Sequence, residues 1–163
     1  KGAIRARALG VHAPFRDDFA VKMGQFFQEP DVLEELRAAR SGRQDILVVD
    51  DVPAMRESIG AALTAAGHRP SYAENGKDAL ERILANTFDA VVTDLWMPGM
   101  DGLSLIKRIR QEQVSLRVFA ITGGGPRLTL EAATSIAEIW GAEKVFLKPF
   151  DETLLIEALA EPT

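Results

Sequence analysis

The sequence predicts an α/β domain built on a doubly wound, five-stranded parallel sheet, with a short helical extension before it. From Gln44 onward, short apolar runs alternate with longer stretches of helical periodicity, which is the pattern of repeated βαβ units. The apolar runs are continuous, as in strands whose two faces are both covered by helices. Five such units fit into residues 44–163, and neither an internal repeat nor a low-complexity segment interrupts them.

The predicted elements alternate as strand and helix from residue 46 to residue 160. Gly67 ends the first helix, since glycine is common just beyond a helix C-terminus, and Pro126 favours the start of the fourth helix. The predicted strands span residues 46–49, 70–73, 90–93, 117–121 and 144–147. The predicted helices span residues 53–66, 76–86, 102–113, 128–140 and 151–160.

Composition excludes several classes of protein. The 163 residues suit one domain with an extension, and a hydrophobic content of 47% supports a sizeable core. The net charge of -5 argues against general nucleic-acid binding, which normally needs a basic face. The absence of cysteine excludes a disulfide framework and a thiolate metal site. No apolar run approaches the roughly 18 residues that span a bilayer, so we expect a cytoplasmic protein without membrane contact.

Residues 1–43 predict two short helices that form an extension. Each has apolar side chains at helical spacing. These side chains are Phe19, Met23, Phe26 and Phe27 in the first helix and Val32, Leu33 and Leu36 in the second. Two short helices cannot bury them alone, so we expect the extension to dock on the following domain or to form a homodimer. The alternative is that it is a remnant of an upstream region.

Reactive side chains follow four of the predicted strands. In a doubly wound sheet the functional crevice lies at the carboxyl ends of the strands. Each residue alone has a simpler explanation, such as a helix cap, a turn or a solvated charge. Together they are harder to dismiss, because carboxylates crowded at one edge repel each other and need a counter-charge. The strand-end residues are Asp50 and Asp51, Asp94, Thr122 and Gly123, and Lys148 and Pro149.

The chemistry that fits these groups is phosphoryl transfer to a carboxylate. Oxygen ligands without cysteine or histidine favour a hard cation such as Mg²⁺. An aspartate can act as the nucleophile and form an aspartyl phosphate. The transferred group needs a metal, an ammonium and a hydrogen-bond donor around it, and Asp51, Lys148 and Thr122 supply those three requirements.

Four motifs carry a family resemblance: "ILVVDD", "VVTDLWMPGMDG", "VFAITGG" and "GAEKVFLKPF". In this order and spacing, the chain from Gln44 onward resembles the response-regulator receiver domain of bacterial two-component signalling. The resemblance implies a flavodoxin-like sheet with strand order 2-1-3-4-5. It also implies that Asp94 is the phosphoacceptor and a metal ligand, that Asp51 binds Mg²⁺ directly, that Asp50 supports the metal site, and that the backbone carbonyl of Trp96 completes it.

The resemblance further implies a role for the ends of the last two strands. Thr122 would bond a phosphoryl oxygen, Lys148 would pair with that oxygen or with Asp94, and the bond between Lys148 and Pro149 would be cis. Phosphorylation would draw Thr122 inward and change the face formed by the fourth helix, fifth strand and fifth helix.

The implied function is a phosphorylation-dependent signalling switch. Its partners would be a histidine kinase or a histidine phosphotransfer protein and a downstream protein effector, without direct DNA binding or a following output domain. It would catalyse only its own phosphorylation and slow self-dephosphorylation. The alternatives are a phosphatase that forms an aspartyl phosphate and a phosphorylation-independent interaction module. Haloacid-dehalogenase-like phosphatases carry DxDx[TV] at the first strand, whereas here the two acids, Asp50 and Asp51, are adjacent.

The switch region departs from the family pattern in three places. Val145 stands where many receivers have an aromatic residue, with Phe146 one place later, so we expect Thr122 to move without an aromatic reporter. Trp96 lies at the mouth of the site, where a bulky indole would slow loss of the phosphoryl group. Gly123 begins a run of three glycines, which would leave the pocket open and the loop free to move.

Overall fold

The sheet has the predicted strand order. The computed structural model describes residues 42–125 and 128–162, so the predictions for residues 1–41 lie outside the described residues. Five parallel strands form one sheet in the order β2-β1-β3-β4-β5. The strands are β1 (Asp45–Val49), β2 (Arg69–Ala73), β3 (Ala90–Asp94), β4 (Arg117–Thr122) and β5 (Lys144–Leu147).

Helices cover both faces of the sheet. They are α1 (Pro53–Ala65), α2 (Gly76–Ala85), α3 (Gly102–Gln111), α4 (Leu130–Ile139) and α5 (Glu152–Ala160). Successive strand residues face opposite sides, so Leu47 belongs to the core beneath α2, α3 and α4, whereas Ile46 belongs to the core beneath α1 and α5. The apolar runs in the sequence are therefore continuous because both faces of each central strand are buried.

Local sequence features set the end of α1 and the start of α4. Gly67 follows α1 with a φ of 89°, a left-handed conformation that suits glycine, and this confirms the predicted end of the helix. The fourth helix starts two residues later than the predicted residue 128, and the prediction that Pro126 begins it lies outside the described residues. Helix α4 begins at Leu130 because the hydroxyl of Thr129 accepts a hydrogen bond from the Ala132 N–H at 3.3 Å and so caps the first turn.

The described helices are all short. None of those within residues 42–125 and 128–162 is long and apolar enough to cross a lipid bilayer.

Candidate functional site

The parallel strands bring the predicted residues to one edge of the sheet. Asp50 follows β1, Asp94 ends β3, Thr122 ends β4 and Lys148 follows β5. Asp94 lies in register with Ile121, one residue before Thr122, so the two strand ends are adjacent. Because β1, β3, β4 and β5 are neighbours and all parallel, groups distant in the chain meet at this edge.

Three carboxylates form an acidic cluster there. Oxygen atoms of Asp50, Asp51 and Asp94 all lie within 4.8 Å of one another, and no other such cluster occurs among the residues that the structure describes. Asp50 and Asp94 are only 1% and 6% exposed, whereas Asp51 is exposed at the mouth. A set of carboxylate oxygens without sulfur or imidazole ligands fits a hard divalent cation. The donor chemistry of the site therefore suits Mg²⁺.

Lys148 supplies the counter-charge. Its Nζ donates to Asp94 Oδ2 at 3.0 Å and to Asp50 Oδ2 at 3.3 Å. Burial raises the pKa of the Asp94 carboxyl above its ordinary value, and Lys148 opposes that rise without cancelling it. Burial acts to lower the pKa of Lys148, but its contacts with Asp94 and Asp50 together outweigh burial and raise it. The two partners differ in burial, since the Asp94 side chain is 8% exposed and that of Lys148 is 25% exposed.

The simpler explanations of these residues do not hold. Helix α1 has Val52 at its N-cap and no side-chain cap, so neither Asp50 nor Asp51 caps it. Asp50 Oδ1 instead accepts a hydrogen bond from the Val52 N–H at 2.8 Å, while its other oxygen faces Lys148. Lys148 is not a solvated strand-end charge, because it is shared between two buried carboxylates. The acids and the amine form one site.

The sequence reasoning missed Arg56. Its Nη1 donates to the backbone carbonyl of Asp50 at 2.6 Å, and its side chain is only 14% exposed. It thereby fixes the turn that leads from β1 into α1 and carries Asp50 and Asp51. Its place in the first turns of α1 could have indicated this role. A cation near a helix N-terminus is disfavoured by the helix dipole, so it needs an acceptor nearby.

Trp96 links Asp94 to Thr122. The backbone N–H of Trp96 donates to Asp94 Oδ1 at 3.2 Å, and the indole Nε1–H donates to Thr122 Oγ1 at 3.1 Å. The same hydroxyl oxygen accepts from the Gly124 N–H at 3.2 Å. Trp96 therefore lies across the mouth of the site and contacts the end of β4, a contact that sequence spacing did not predict.

The loop after β3 approaches α3 closely. The N–H of Gly102 donates to the Leu95 carbonyl at 3.1 Å, and a Cβ at Gly102 would lie 2.0 Å from the backbone oxygen of Asp94. Only glycine fits this position, which explains the residue after Asp101 in the "PGMDG" segment. Asp101 itself caps α3, with its side chain accepting from the Ser104 N–H at 2.7 Å. The start of α3 thus fixes the backbone at Asp94.

The expected switch residues lie near the edge in different environments. Phe146 is 5% exposed and packs between Phe119 and Phe150, with ring centroids 6.5 and 5.7 Å away, so it is a core residue. Val145 is half-buried and packs against the core beneath α2, α3 and α4. Gly123 lies beside Lys148, where a Cβ would be 3.5 Å from the lysine Cβ. The peptide bond between Lys148 and Pro149 is cis.

An open cavity lies at the opposite, amino edge of the sheet. Its lining includes Asp89, Arg110, Arg117 and Glu143 and none of the carboxylates of the acidic cluster. Arg117 Nε donates to Glu143 Oε2 at 2.9 Å, and Arg110 donates to the carbonyls of Leu116 and Gly141. These charged groups are already engaged in holding the edge together, so we assign the chemistry to the acidic cluster.

Comparison with known proteins identifies relatives of this chain. Residues 46–160 match the family model of the response regulator receiver domain. The chain is 39% identical over 106 residues to the DNA-binding transcriptional regulator NtrC of Escherichia coli K12, covering 65% of this chain and 22% of NtrC. It is 34% identical over 124 residues to the transcriptional regulatory protein FixJ of Bradyrhizobium diazoefficiens, covering 72% of this chain and 58% of FixJ.

A solved structure shows the same fold. The response regulator TrrA of Thermotoga maritima, in complex with Mg²⁺ and BeF, is 29% identical and superposes with a TM-score of 0.63, covering 71% of this chain and 96% of that one. The chain spans less than two thirds of the length of NtrC and of FixJ. The fold, the strand-end residues and the match over residues 46–160 show that the chain belongs to the response regulator receiver domain family, whose members act as phosphorylation-dependent signalling switches.

Proposed function

We propose that the chain is a signalling switch that accepts a phosphoryl group on Asp94 from a histidine kinase or a histidine phosphotransfer protein. The observation that carries this proposal is the position of Asp94. Its carboxylate lies at the carboxyl edge of the sheet, within 4.8 Å of two further carboxylates and 3.0 Å from the Lys148 ammonium. Receiver domains interact with such donors and with effectors, which supports the assignment of partners.

The transfer step is a displacement at phosphorus. A carboxylate oxygen of Asp94 forms the new O–P bond, and the bond from phosphorus to the donor's imidazole nitrogen breaks, leaving its electron pair on that nitrogen. Asp94 is suited to attack because Lys148 and the Trp96 N–H hold its carboxylate in place. Its deep burial leaves only the mouth of the site for the donor to approach.

The surrounding residues would bind the metal ion and the phosphoryl oxygens. Asp50, Asp51, Asp94 and the Trp96 carbonyl would hold Mg²⁺, which when bound neutralises charge on the phosphoryl oxygens. Lys148 already bonds Asp94 and would offer its ammonium to a phosphoryl oxygen. The Thr122 hydroxyl would donate to another phosphoryl oxygen. In this proposal the residues bind and orient the group, and the chain catalyses only its own phosphorylation and dephosphorylation.

The proposed output surface consists of α4, β5 and α5. It exposes large apolar side chains: Ile139 is 79% exposed, Leu147 is 47% exposed and Leu154 is 48% exposed. Thr122 pairs with Leu147 in the sheet, so a movement at Thr122 reaches this surface through one strand pairing. Shifting the populations of the active and inactive conformations from 1:99 to 99:1 needs about 5.5 kcal/mol of differential stabilisation. Several charge-assisted hydrogen bonds to one phosphoryl group can supply this free energy.

Phosphorylation by a small donor tests the proposal. We expect incubation with acetyl phosphate and Mg²⁺ to add the mass of one phosphoryl group to the parent protein and none to Asp94→Asn, measured by intact-mass spectrometry. Asp101→Asn is the matched control, because it removes one carboxylate from the loop that follows β3 while asparagine still caps α3. This control should be phosphorylated like the parent.

Two results would contradict the proposal. Continuous release of phosphate without a stable adduct would indicate a phosphatase. Equal mass spectra with and without acetyl phosphate, for a parent protein that is folded and contains Mg²⁺, would indicate an interaction module that does not use phosphorylation.

A further inference from the structure

Trp96 forms hydrogen bonds with both the phosphoacceptor carboxylate and the threonine hydroxyl. Its backbone N–H donates to Asp94 Oδ1 at 3.2 Å and its indole N–H donates to Thr122 Oγ1 at 3.1 Å. Its ring also packs against the core beneath α2, α3 and α4. Trp96 is therefore bonded to Asp94 through its backbone and to Thr122 through its indole, so its ring lies between the ends of β3 and β4.

The hydrogen bonds of Thr122 determine what its hydroxyl can do. The oxygen accepts from the Trp96 indole and from the Gly124 N–H, at 3.1 and 3.2 Å. A hydroxyl has two lone pairs and one proton, so these two donors occupy its acceptor capacity and restrict the direction of the O–H bond. Phosphoryl oxygens are acceptors, and Thr122 must turn its proton toward them to bond them. That rotation competes with the bond from the indole.

Gly125 provides the second contact of the indole. A Cβ at Gly125 would lie 2.2 Å from Trp96 Cε2, so only glycine allows the ring to lie against this loop. The neighbouring Gly124 has a φ of 85°, which turns the loop back toward Thr122. The indole therefore holds the end of β4 through the Thr122 hydroxyl and the following loop through van der Waals contact.

We propose that Trp96 is a latch that holds Thr122 and residues 123–125 in the unphosphorylated arrangement, and that a phosphoryl group on Asp94 must displace the indole. This inference rests on the proposed function, in which Asp94 is phosphorylated and Thr122 donates to the phosphoryl group. It adds a positioning residue that opposes activation. Removing the indole N–H should therefore favour the phosphorylated state.

Beryllium fluoride with Mg²⁺ provides a reversible probe of that state, measured by isothermal titration calorimetry. Trp96→Phe keeps an aromatic ring but removes the N–H donor. We expect it to bind the probe about fivefold more tightly than the parent, the factor equivalent to one ordinary hydrogen bond. Trp140→Phe is the matched control, because Trp140 follows α4 and is one of the two tryptophans in the chain. Its affinity should equal that of the parent.

Gly125→Ala tests the latch by a different route. The added methyl group takes the position of the indole ring, so this variant should also bind the probe more tightly even though the N–H donor remains. The double variant Trp96→Phe/Gly125→Ala should bind no more tightly than the stronger single variant, because Trp96→Phe removes the indole donor and Gly125→Ala displaces it, so both break the same hydrogen bond to Thr122. A purely structural role for Trp96 would give independent, additive effects.

Fluorescence reports the displacement directly. In the Trp140→Phe background Trp96 is the sole tryptophan, and we expect its emission maximum to shift when the probe saturates the site. Unchanged emission at saturation, or equal or weaker binding by both Trp96→Phe and Gly125→Ala, would overturn the latch while leaving the proposed function intact. Failure of the parent to bind the probe and to accept a phosphoryl group from acetyl phosphate would overturn both.

Discussion

Burial and the charge of Lys148 shift the pKa of Asp94 in opposite directions. Desolvation favours the neutral carboxyl, whereas Lys148 favours the ionised form, and burial is the larger effect, so the pKa is raised. Asp50 adds a like charge that raises it further. The Lys148 ammonium contacts two of the three carboxylates in the cluster, and a bound divalent cation would relieve the remaining repulsion.

Asp51 allows this to be tested with little structural disturbance, because its side chain is exposed. We expect Mg²⁺ to raise the thermal unfolding midpoint of the parent, since a ligand at ten times its Kd stabilises the folded state by about 1.4 kcal/mol. Asp51→Asn should lose most of this increase. The measurement is differential scanning calorimetry with and without Mg²⁺.

The control for that experiment is Glu81→Gln. It removes one negative charge from an exposed position on α2, outside the acidic cluster. It should retain the full response to Mg²⁺. An equal loss in both variants would indicate that Mg²⁺ acts through general charge screening and would contradict a site at Asp51.

Among the elements, α2 supports the loop that follows β3 and Asp94. The N–H of Gly76, its first residue, donates to the carbonyl of Met100 at 3.1 Å. A Cβ at Gly76 would lie 2.5 Å from that oxygen, so the helix and the loop approach each other closely. Asn75 caps the helix, with its Oδ1 accepting from the Asp78 N–H at 2.9 Å. The N-terminus of α2 is thus part of the structure that positions the site.

Removing that cap should have a defined effect. Asn75→Ala leaves the N–H of Asp78 without its side-chain partner, and we expect a loss of about 1 kcal/mol in the free energy of unfolding, measured by urea denaturation. Val52→Ala is the control, because Val52 occupies the same position on α1 and makes no side-chain cap. A loss as large in Val52→Ala would mean that the capping bond is not the cause.

Over the whole molecule, the two edges of the sheet have separate roles. The carboxyl edge holds the acidic cluster, and the amino edge holds Arg117, at the start of β4. Arg117 pairs with Glu143 and donates to the carbonyls of Ala158 and Leu159, both at 2.9 Å, which joins β4 to the end of α5. This arrangement stabilises the fold at the edge opposite Asp94.

The ion pair between Arg117 and Glu143 should make the stability of the protein depend on pH. The hydrogen bond from Arg117 is the largest cause that lowers the pKa of Glu143. A carboxylate with a lowered pKa contributes stability above its unfolded pKa, and this contribution is lost as the pH falls through the folded value. Glu143→Gln should therefore be less stable than the parent at neutral pH, by less than about 1 kcal/mol, with the difference vanishing in acid.

Thermal unfolding at a series of pH values measures this difference. Phosphorylation of Glu143→Gln by acetyl phosphate should match that of the parent, because the pair lies at the opposite edge. A stability difference that does not change with pH would exclude ionisation of Glu143 as its cause, and reduced phosphorylation would contradict the separation of the two edges.

The strands, their order along the chain and the residues at their ends could all be predicted from the sequence. Buried parallel strands require continuous apolar runs, and consecutive parallel strands must end at one edge, so Asp50, Asp94, Thr122 and Lys148 were predictable as neighbours. These are local patterns combined with a general rule of topology. Both can be recognised without knowing any side-chain conformation.

The contacts among those neighbours could not be predicted from local patterns and became visible in the folded structure. It shows Lys148 shared between two buried carboxylates, Arg56 bonded to the Asp50 carbonyl, and the indole of Trp96 bonded to Thr122. Each contact depends on the rotamer of a long side chain and on the packing of the elements around it. Trp96 and Thr122 are 26 residues apart, and Lys148 and Asp50 are 98 apart, so no local pattern relates them.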